Sequence, residues 1–304
     1  MLGGTHIPKG FYSSILSFRT MEEHHLEMIY DYVRYCIETK DVKHLRFHKA
    51  YKPFSRKQST FKVLNRALVE QVILAPRIFC IRKTKVKLLG HRDFLLVDQF
   101  EKEKRLEDTY YVVLLLGSHS LLSFSKGESE TNLKFAQCTF PKYPSKKKIS
   151  EINPEIHKPG KLPLMKPPPN WSAFDWKVYT ERNDPLRSSV EVGEILKVSY
   201  GTVLNTYKRI LQDCTIWIPF FPLGYDNYVK FLVSFKTDFE VGFVEELKKI
   251  NRSSYIYKID DTILLTLFFE KQLEIDSILT LEKKGIIHGL RVSSPLWNYE
   301  RFQP

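Results

Sequence analysis

Residues 192–216 read VGEILKVSYGTVLNTYKRILQDCTI and decide how the second half of the chain folds. Their apolar spacing predicts a helix over 189–196 and a longer helix over 200–212, separated by the three-residue break 197–199. The next stretch, 215–221, is rich in β-branched and aromatic residues and predicts a strand-rich wing. The sequence therefore predicts a winged helix-turn-helix.

The two helices each have a distinct inner face, and Ser189 is the predicted N-cap of the first. The predicted inward-facing positions are Val190, Ile195 and Leu196 in the first helix and Val203, Tyr207, Ile210 and Leu211 in the second.

The outer face of the second helix is polar and carries Thr202, Asn205, Thr206, Lys208 and Arg209. A helix of this kind fits the major groove of DNA. Asn205 can pair with adenine, and Arg209 with guanine or phosphate. Ser199, Tyr200 and Thr202 can bind backbone phosphates at the helix N-terminus. The alternative is an αα-hairpin packed in some other fold.

A second pattern follows the wing and has the order βαββαβ, which is the ferredoxin-like arrangement. Asp260 and Asp261 fill the predicted tight turn between two of its strands, and Gly285 ends its last helix. The predicted elements are Tyr228–Phe235, Phe239–Ile250, Tyr255–Ile259, Thr262–Phe269, Ile275–Lys284 and Ile286–Val292.

The N-terminal half reads as a weaker copy of the same order. It predicts helices at 22–39 and 55–73 and a basic wing from Ile78 to Lys87. A shortened ferredoxin-like unit follows, with a strand at 94–97, a helix at 101–107, a hairpin of 110–116 with 121–124, and a closing helix and strand within 132–140. The exposed face of the second helix carries the candidate DNA-binding residues Arg56, Lys57, Lys62, Asn65 and Arg66.

Positive charge is concentrated in the N-terminal half. The chain has a net charge of +12, and residues 41–90 hold 13 Lys or Arg against two acids. Such a segment is typical of a protein that neutralises phosphates, although a solvated basic face is the alternative. Residues 141–170 hold eight of the 16 prolines and predict an extended linker. The predicted division is 20–90, 91–140, the linker, 171–223 and 224–295.

The stretch Val192–Ile216 resembles, without gaps, the winged helix-turn-helix of the Lrp/AsnC, or feast/famine, family of prokaryotic transcription regulators. The βαββαβ segment is similar to that family's ligand-sensing and oligomerising domain, so the resemblance covers about 172–292. It implies a regulator that binds double-stranded DNA, with an amino-acid-like effector and a homodimer or a pseudo-dimer within one chain. On this resemblance, the recognition-helix positions are Ser199, Tyr200, Gly201, Thr202, Asn205, Lys208 and Arg209. The chain departs from the family in having two units and in carrying Asp213-Cys214 where a glycine often stands.

Enzymatic patterns are missing from the sequence, which has no GxGxxG, GxxxxGK[ST], HExxH or GxSxG. Adjacent positions on a helix point in different directions, so His24 and His25 do not predict a metal pair. His119 is expected to be an exposed turn residue, and the four cysteines to be ordinary buried thiols. We therefore expect no enzyme activity, no cofactor and no metal.

The sequence predicts a cytoplasmic protein. The longest apolar run has seven residues, so no membrane span is expected, and the N-terminus lacks the pattern of a signal peptide.

Two alternative functions remain open. The first is RNA binding, with Tyr255 and Tyr257 stacking bases on an exposed sheet. The second is a protein-interaction or ligand-sensing module without DNA binding.

Overall fold

The computed structural model describes residues 21–40, 58–81, 84–90, 96–127, 132–168, 170–183 and 187–300. Its helices are α1 (Glu23–Thr39), α2 (Gln58–Val69), α3 (Leu96–Arg105), α4 (Ala173–Glu181), α5 (Ser189–Leu196), α6 (Tyr200–Ile210), α7 (Glu240–Leu247) and α8 (Asp276–Lys283). Its strands are β1 (Arg77–Phe79), β2 (Thr84–Gly90), β3 (Thr109–Gly117), β4 (His119–Lys126), β5 (Leu133–Cys138), β6 (Thr215–Trp217), β7 (Val229–Lys236), β8 (Tyr255–Ile259), β9 (Thr262–Phe269) and β10 (His288–Glu300).

The fold is α+β, with two winged helix-turn-helix modules that are each followed by a ferredoxin-like domain. Eight strands form one antiparallel sheet in the order β2-β4-β3-β10-β7-β9-β8-β5. The four strands β10-β7-β9-β8 have the ferredoxin-like order and belong to the second half. The second strand of each unit pairs with the last strand of the other, since β3 pairs with β10 and β8 pairs with β5. The two halves therefore pair through their edge strands, as two subunits of a dimer would.

Among the described residues, the helices that pack on this sheet lie on its outer face. In the first half, Phe100 of α3 packs on β3 and β4. In the second half, α7 and α8 pack through Phe243, Leu247 and Ile278. The inner faces of the two halves, including Val113 and Leu232, share a third core. Both halves are therefore needed to enclose the inside of the sheet.

The helices of the two winged modules also share one core. Side chains from α1, α2, α4, α5 and α6 form a single buried cluster. Strands β1 and β6 pair antiparallel into a ribbon, with Ile78 opposite Ile216. These two isoleucines are buried in the helical core, and alternation along a strand turns Arg77, Phe79 and Trp217 to the opposite face. The ribbon thus separates the helices from the sheet.

The Pro/Lys-rich segment is packed against the second half. Its described residues contain only two short 3-10 turns, at Ile149–Glu151 and Pro154–Ile156. Ile149, Ile152 and Leu162 are buried in the core under α7. The segment, which we call the strap, is therefore extended and packed on the second half.

Three predictions in the second helix-turn-helix were wrong. The N-cap of α5 is Ser188 and not Ser189. Val190 and Ile195 are more than half exposed, because α5 packs through the fully buried Val192 and through Gly193. Thr206, predicted on the outer face, is buried.

In the N-terminal half, strand 84–90 lies in the large sheet and not in a wing. Residues 96–97 belong to α3 rather than to a strand, and the segment 132–140 contains β5 but no helix. His119 is buried and not an exposed turn residue. Cys36, Cys80 and Cys214 are buried thiols as expected, whereas Cys138 is only partly buried.

Other features agree with the sequence. Helix α5 and strands β8 and β9 have the predicted bounds, and Asp260 adopts a left-handed conformation (φ 50°) in the turn between β8 and β9. Over the described residues, no helix combines the length and the apolar character needed to cross a membrane.

Candidate ligand cavity beneath the ribbon

The predicted DNA-binding face of α6 is only partly available. Ser199 caps the helix, since its Oγ accepts a hydrogen bond from the backbone N–H of Thr202 at 3.1 Å. Exposed side chains are those of Tyr200, Thr202, Asn205 and Lys208, while Gly201 is half-buried. The guanidinium of Arg209 pairs with the carboxylate of Asp175 in α4. Arg209 is therefore paired with the neighbouring helix, while 67% of its side chain stays exposed.

The N-terminal candidates are distributed differently. Arg56 and Lys57 lie outside the described residues. Lys62 is exposed, and Asn65 is half-buried. Arg66 forms an ion pair of 2.6 Å with Glu70, one helical turn further on.

A cavity of about 570 Å³ lies between the β1–β6 ribbon and the inner face of the large sheet. This volume is in the range of small-molecule sites, which are often found at the mouths of β-barrels. Both halves of the chain line it. The sheet contributes Tyr111, Val113, Leu115, Leu122, Phe124, Lys230, Leu232, Tyr255, Tyr257 and Thr266, and the roof contributes Arg77, Phe79, Cys80 and Trp217.

Aromatic rings dominate the walls. Phe79 and Trp217 stack across the ribbon, with ring centroids 4.4 Å apart and planes 16° from parallel. Trp217 also lies 6.1 Å from Tyr255, and Phe124 lies 5.2 Å from Tyr257. The cavity is therefore suited to a large, flat, apolar body.

Four tyrosine hydroxyls in this cavity make no hydrogen bond to any described residue. They belong to Tyr111, Tyr225, Tyr255 and Tyr257. Burial is the largest cause that raises the pKa of each phenol, and neighbouring acidic groups and phenols raise it further. All four are therefore neutral hydrogen-bond donors at pH 7.

Two cations stand at the rim, each beside an acid. The Nζ of Lys230 lies 3.1 Å from the carboxylate of Asp226 and 3.6 Å from the ring centroid of Tyr225. The guanidinium of Arg77 lies 3.9 Å from the carboxylate of Glu300 at the end of β10. Because Asp226 and Glu300 are largely exposed, incoming anions can compete for both cations.

Tyr255 and Tyr257 correct the RNA-binding alternative. Their rings do not stand on an open sheet face; they face the cavity under the ribbon. The sequence had suggested these two tyrosines only as base-stacking residues on an exposed sheet, and it gave no role to Tyr111, Tyr225, Lys230 or Arg77. The alternate tyrosines of β8 were the available signal, because one face of a strand must point inward.

A second cluster of polar groups lies at the start of α1. Side-chain atoms of Glu22, His24 and His25 come within 4.8 Å of one another, and the two imidazole centroids are 4.0 Å apart. The two rings are therefore closer than the helix argument implied. The cluster is largely solvent-exposed, and no metal site is assigned to it.

No family model and no curated protein matches this chain. Two solved structures of the siroheme decarboxylase NirDL are similar to it over 90% of this chain and 92% of theirs, at 9% sequence identity. The TM-score is 0.50 for NirDL and 0.49 for NirDL in complex with an iron-uroporphyrin III analogue. The shared fold is consistent with an Lrp/AsnC-like relationship. The expectation of no enzyme activity is contradicted by these similar structures, which are of a decarboxylase.

Proposed function

We propose that this chain is an enzyme that binds a flat, carboxylate-bearing ligand of the tetrapyrrole class in the cavity under the ribbon and removes carboxyl groups from it. The observation that carries the proposal is the set of four neutral phenols, Tyr111, Tyr225, Tyr255 and Tyr257, which face an aromatic cavity without internal hydrogen bonds. Convergent unpaired donors in an apolar cavity are typical of a ligand site. The fold shared with a siroheme decarboxylase supports this class of substrate.

The walls and the rim fit different parts of such a ligand. The stacked pair of Phe79 and Trp217 offers a flat apolar surface for the macrocycle. Lys230 and Arg77 offer positive charge for carboxylates at its edge. The recognition therefore requires both a planar body and anionic side chains.

Loss of CO2 from an acetate side chain breaks a carbon–carbon bond and leaves a carbon that must gain a proton. Burying that carboxylate among aromatic rings disfavours its charge, which disperses as CO2 departs. The phenols, kept protonated by their raised pKa values, hold protons inside the cavity and hydrogen-bond the remaining carboxylates.

A binding titration tests the first half of the proposal. Iron-uroporphyrin III added to the full chain should quench tryptophan fluorescence, because Trp217 and Trp297 line the cavity. Tyr255→Phe and Tyr257→Phe each remove one hydrogen bond and should weaken binding by about 2- to 10-fold. Lys230→Ala should weaken it by about 10-fold or more, whereas Lys208→Ala on α6 is the matched control and should not change it.

A reaction with siroheme tests the second half. Mass spectrometry should detect products that have lost one CO2 for each carboxyl group removed. Tight binding without such products contradicts the decarboxylation but keeps the tetrapyrrole site. No saturable binding of either tetrapyrrole, or an equal loss in the Lys208→Ala control, contradicts the whole proposal.

Duplex DNA binding by α6 is the second candidate function. It is favoured by the exposed, capped N-terminus of α6, where Tyr200 and Thr202 face solvent. The ion pair of the exposed Arg209 with Asp175 competes with base contacts by its guanidinium, so discrimination between DNA sequences should be weak. An anisotropy titration across several salt concentrations tests it, and sequence-specific binding that Asn205→Ala abolishes would restore the regulatory interpretation.

A further inference from the structure

Two cysteines face each other where the halves of the chain meet. In the ribbon, Phe79 pairs with Thr215 as the last residues of the ladder. The next residue on one strand is Cys80, and the preceding residue on the other is Cys214, so the two cysteines flank the last pair of the ribbon at the same end. A side-chain hydrogen bond joins the two thiols, which brings their sulfur atoms within reach of a disulfide.

The surroundings of the two cysteines differ in one respect. Both are almost fully buried in the core of the winged modules. Cys80 also lines the ligand cavity, whereas Cys214 does not. A small reagent that enters the cavity therefore reaches Cys80 first.

We infer that Cys80 and Cys214 form a redox-active dithiol, which a small disulfide entering the cavity oxidises to a disulfide that joins the two halves of the chain. The site does not depend on the proposed decarboxylation. A disulfide at this position would restrict the movement of the β1–β6 ribbon, which covers the cavity.

The reaction balances as two thiol–disulfide exchanges. The Cys80 thiol loses its proton to water, and its thiolate attacks one sulfur of the small disulfide, whose S–S bond breaks to release one thiolate that takes up a proton. The sulfur of Cys214 then attacks the Cys80 sulfur of the mixed disulfide, and its proton passes to the second departing thiolate. Two protein thiols are oxidised, and one small disulfide is reduced to two thiols.

The order of attack follows from the environment of the two thiols. A hydrogen bond with Cys80, and then burial, raise the pKa of Cys214 above its usual range. Cys80 lines the cavity and Cys214 does not, so Cys80 is the group that attacks. The other two cysteines do not line the cavity and serve as internal controls.

The test treats the native full chain with 2-hydroxyethyl disulfide and maps the products by mass spectrometry. We expect a loss of two hydrogens, a cross-linked peptide pair containing Cys80 and Cys214, unreacted Cys36 and Cys138, and a higher midpoint of thermal unfolding that a thiol reductant reverses. In Cys214→Ser the mixed disulfide on Cys80 should persist, and in Cys80→Ser neither product should form. If a variant does not fold, the cross-linked peptides of the wild-type protein alone test the inference. Reaction only after unfolding, equal reaction of all four cysteines, or a different cross-link would overturn the inference.

Discussion

The side-chain amide of Asn132 binds both backbone groups of Val86. Its Oδ1 accepts a hydrogen bond from the Val86 N–H at 2.6 Å, and its Nδ2 donates to the Val86 carbonyl at 2.8 Å. Asn132 precedes β5 and Val86 lies in β2, and these strands are the two ends of the eight-stranded sheet. The Asn132 side chain thus connects the two edge strands of the sheet, β2 and β5, which are not paired with each other in the ladder.

We predict that Asn132→Ala lowers the free energy of unfolding by about 1–3 kcal/mol, because two backbone groups of a half-enclosed edge lose their partner. Urea unfolding followed by circular dichroism measures the change. Asn205→Ala, at an exposed position of α6, is the control and should stay within about 0.5 kcal/mol of wild type. Equal effects of the two substitutions would mean that the amide does not stabilise the sheet.

Periodicity identified most of the second half of the fold because long, regular elements carry a strong signal. It failed in α5, which is only two turns long and packs through Val192 and Gly193, so the apolar Val190 and Ile195 were wrongly assigned inward. It also ended β10 too early. Pro295 lacks an N–H and lies at the register irregularity between Pro295 and Trp297, so a strand was not expected there.

The cavity itself could not be predicted from the sequence. Its phenols come from β3 in one half and from β8 and the turn at Tyr225–Asn227 in the other, and no local pattern specifies that these segments oppose each other. Strand β2 shows the same limit. Lys85 and Lys87 alternate with the buried Thr84 and Val86, but the positive charge suggested a wing. Long-range strand pairing decided both cases.

Two helical glycines make a matched pair for a test of packing. A Cβ at Gly242 in α7 would overlap the carbonyl oxygen of Pro154 in the strap, whereas a Cβ at Gly201 in α6 would meet only the Ser199 Oγ at 3.7 Å. Alanine favours a helix over glycine by about 0.5–1 kcal/mol where it fits. We therefore predict that Gly201→Ala keeps or raises the unfolding free energy.

For Gly242→Ala we predict a loss of about 1–3 kcal/mol, because α7 or the strap must move apart. Thermal and urea unfolding of both variants measure the difference, and limited proteolysis at 141–168 should be faster in Gly242→Ala only. If Gly242→Ala raised the unfolding free energy, the strap would be able to move away from α7 without loss of stability.

His119 should make stability depend on pH. Its Nε2 lies 2.8 Å from the Ser234 Oγ, which links β4 of one half to β7 of the other. Burial and then the charge of Arg291 lower the pKa of His119 from 6.5 in the folded chain, against a smaller opposing effect of the Leu89 backbone. As pH falls below about 6.5, the unfolded chain binds a proton that the folded chain resists, so stability decreases.

We predict that His119→Gln reduces this slope between pH 7 and pH 5, because glutamine does not titrate. His288→Gln, at an exposed position, should keep the wild-type slope. Urea unfolding at several pH values gives the comparison. An unchanged slope in His119→Gln would assign the pH dependence to other groups.

Glu246 holds the strap on α7, and its side chain is fully buried. It pairs with Lys147 and His157 of the strap and with Lys249 one turn further on. Burial alone would raise the pKa of Glu246, but hydrogen bonds from Lys147, Lys249 and His157 outweigh it and lower the pKa to about 2. A lowered carboxyl pKa gives stability that is complete above about pH 4.5 and is lost as pH falls towards about 2.

We predict that Glu246→Gln lowers the unfolding free energy at pH 7 by about 1.5–3 kcal/mol, because charge-assisted hydrogen bonds are lost. The gap between wild type and variant should narrow below pH 4.5, where the wild-type carboxylate begins to lose its advantage. Glu245→Gln is the matched control, since Glu245 makes only an exposed pair with Lys248 at 2.8 Å and should change stability by less than about 0.5 kcal/mol. A gap that stays constant down to pH 3 would mean that the shape of Glu246, and not its charge, holds the strap in place.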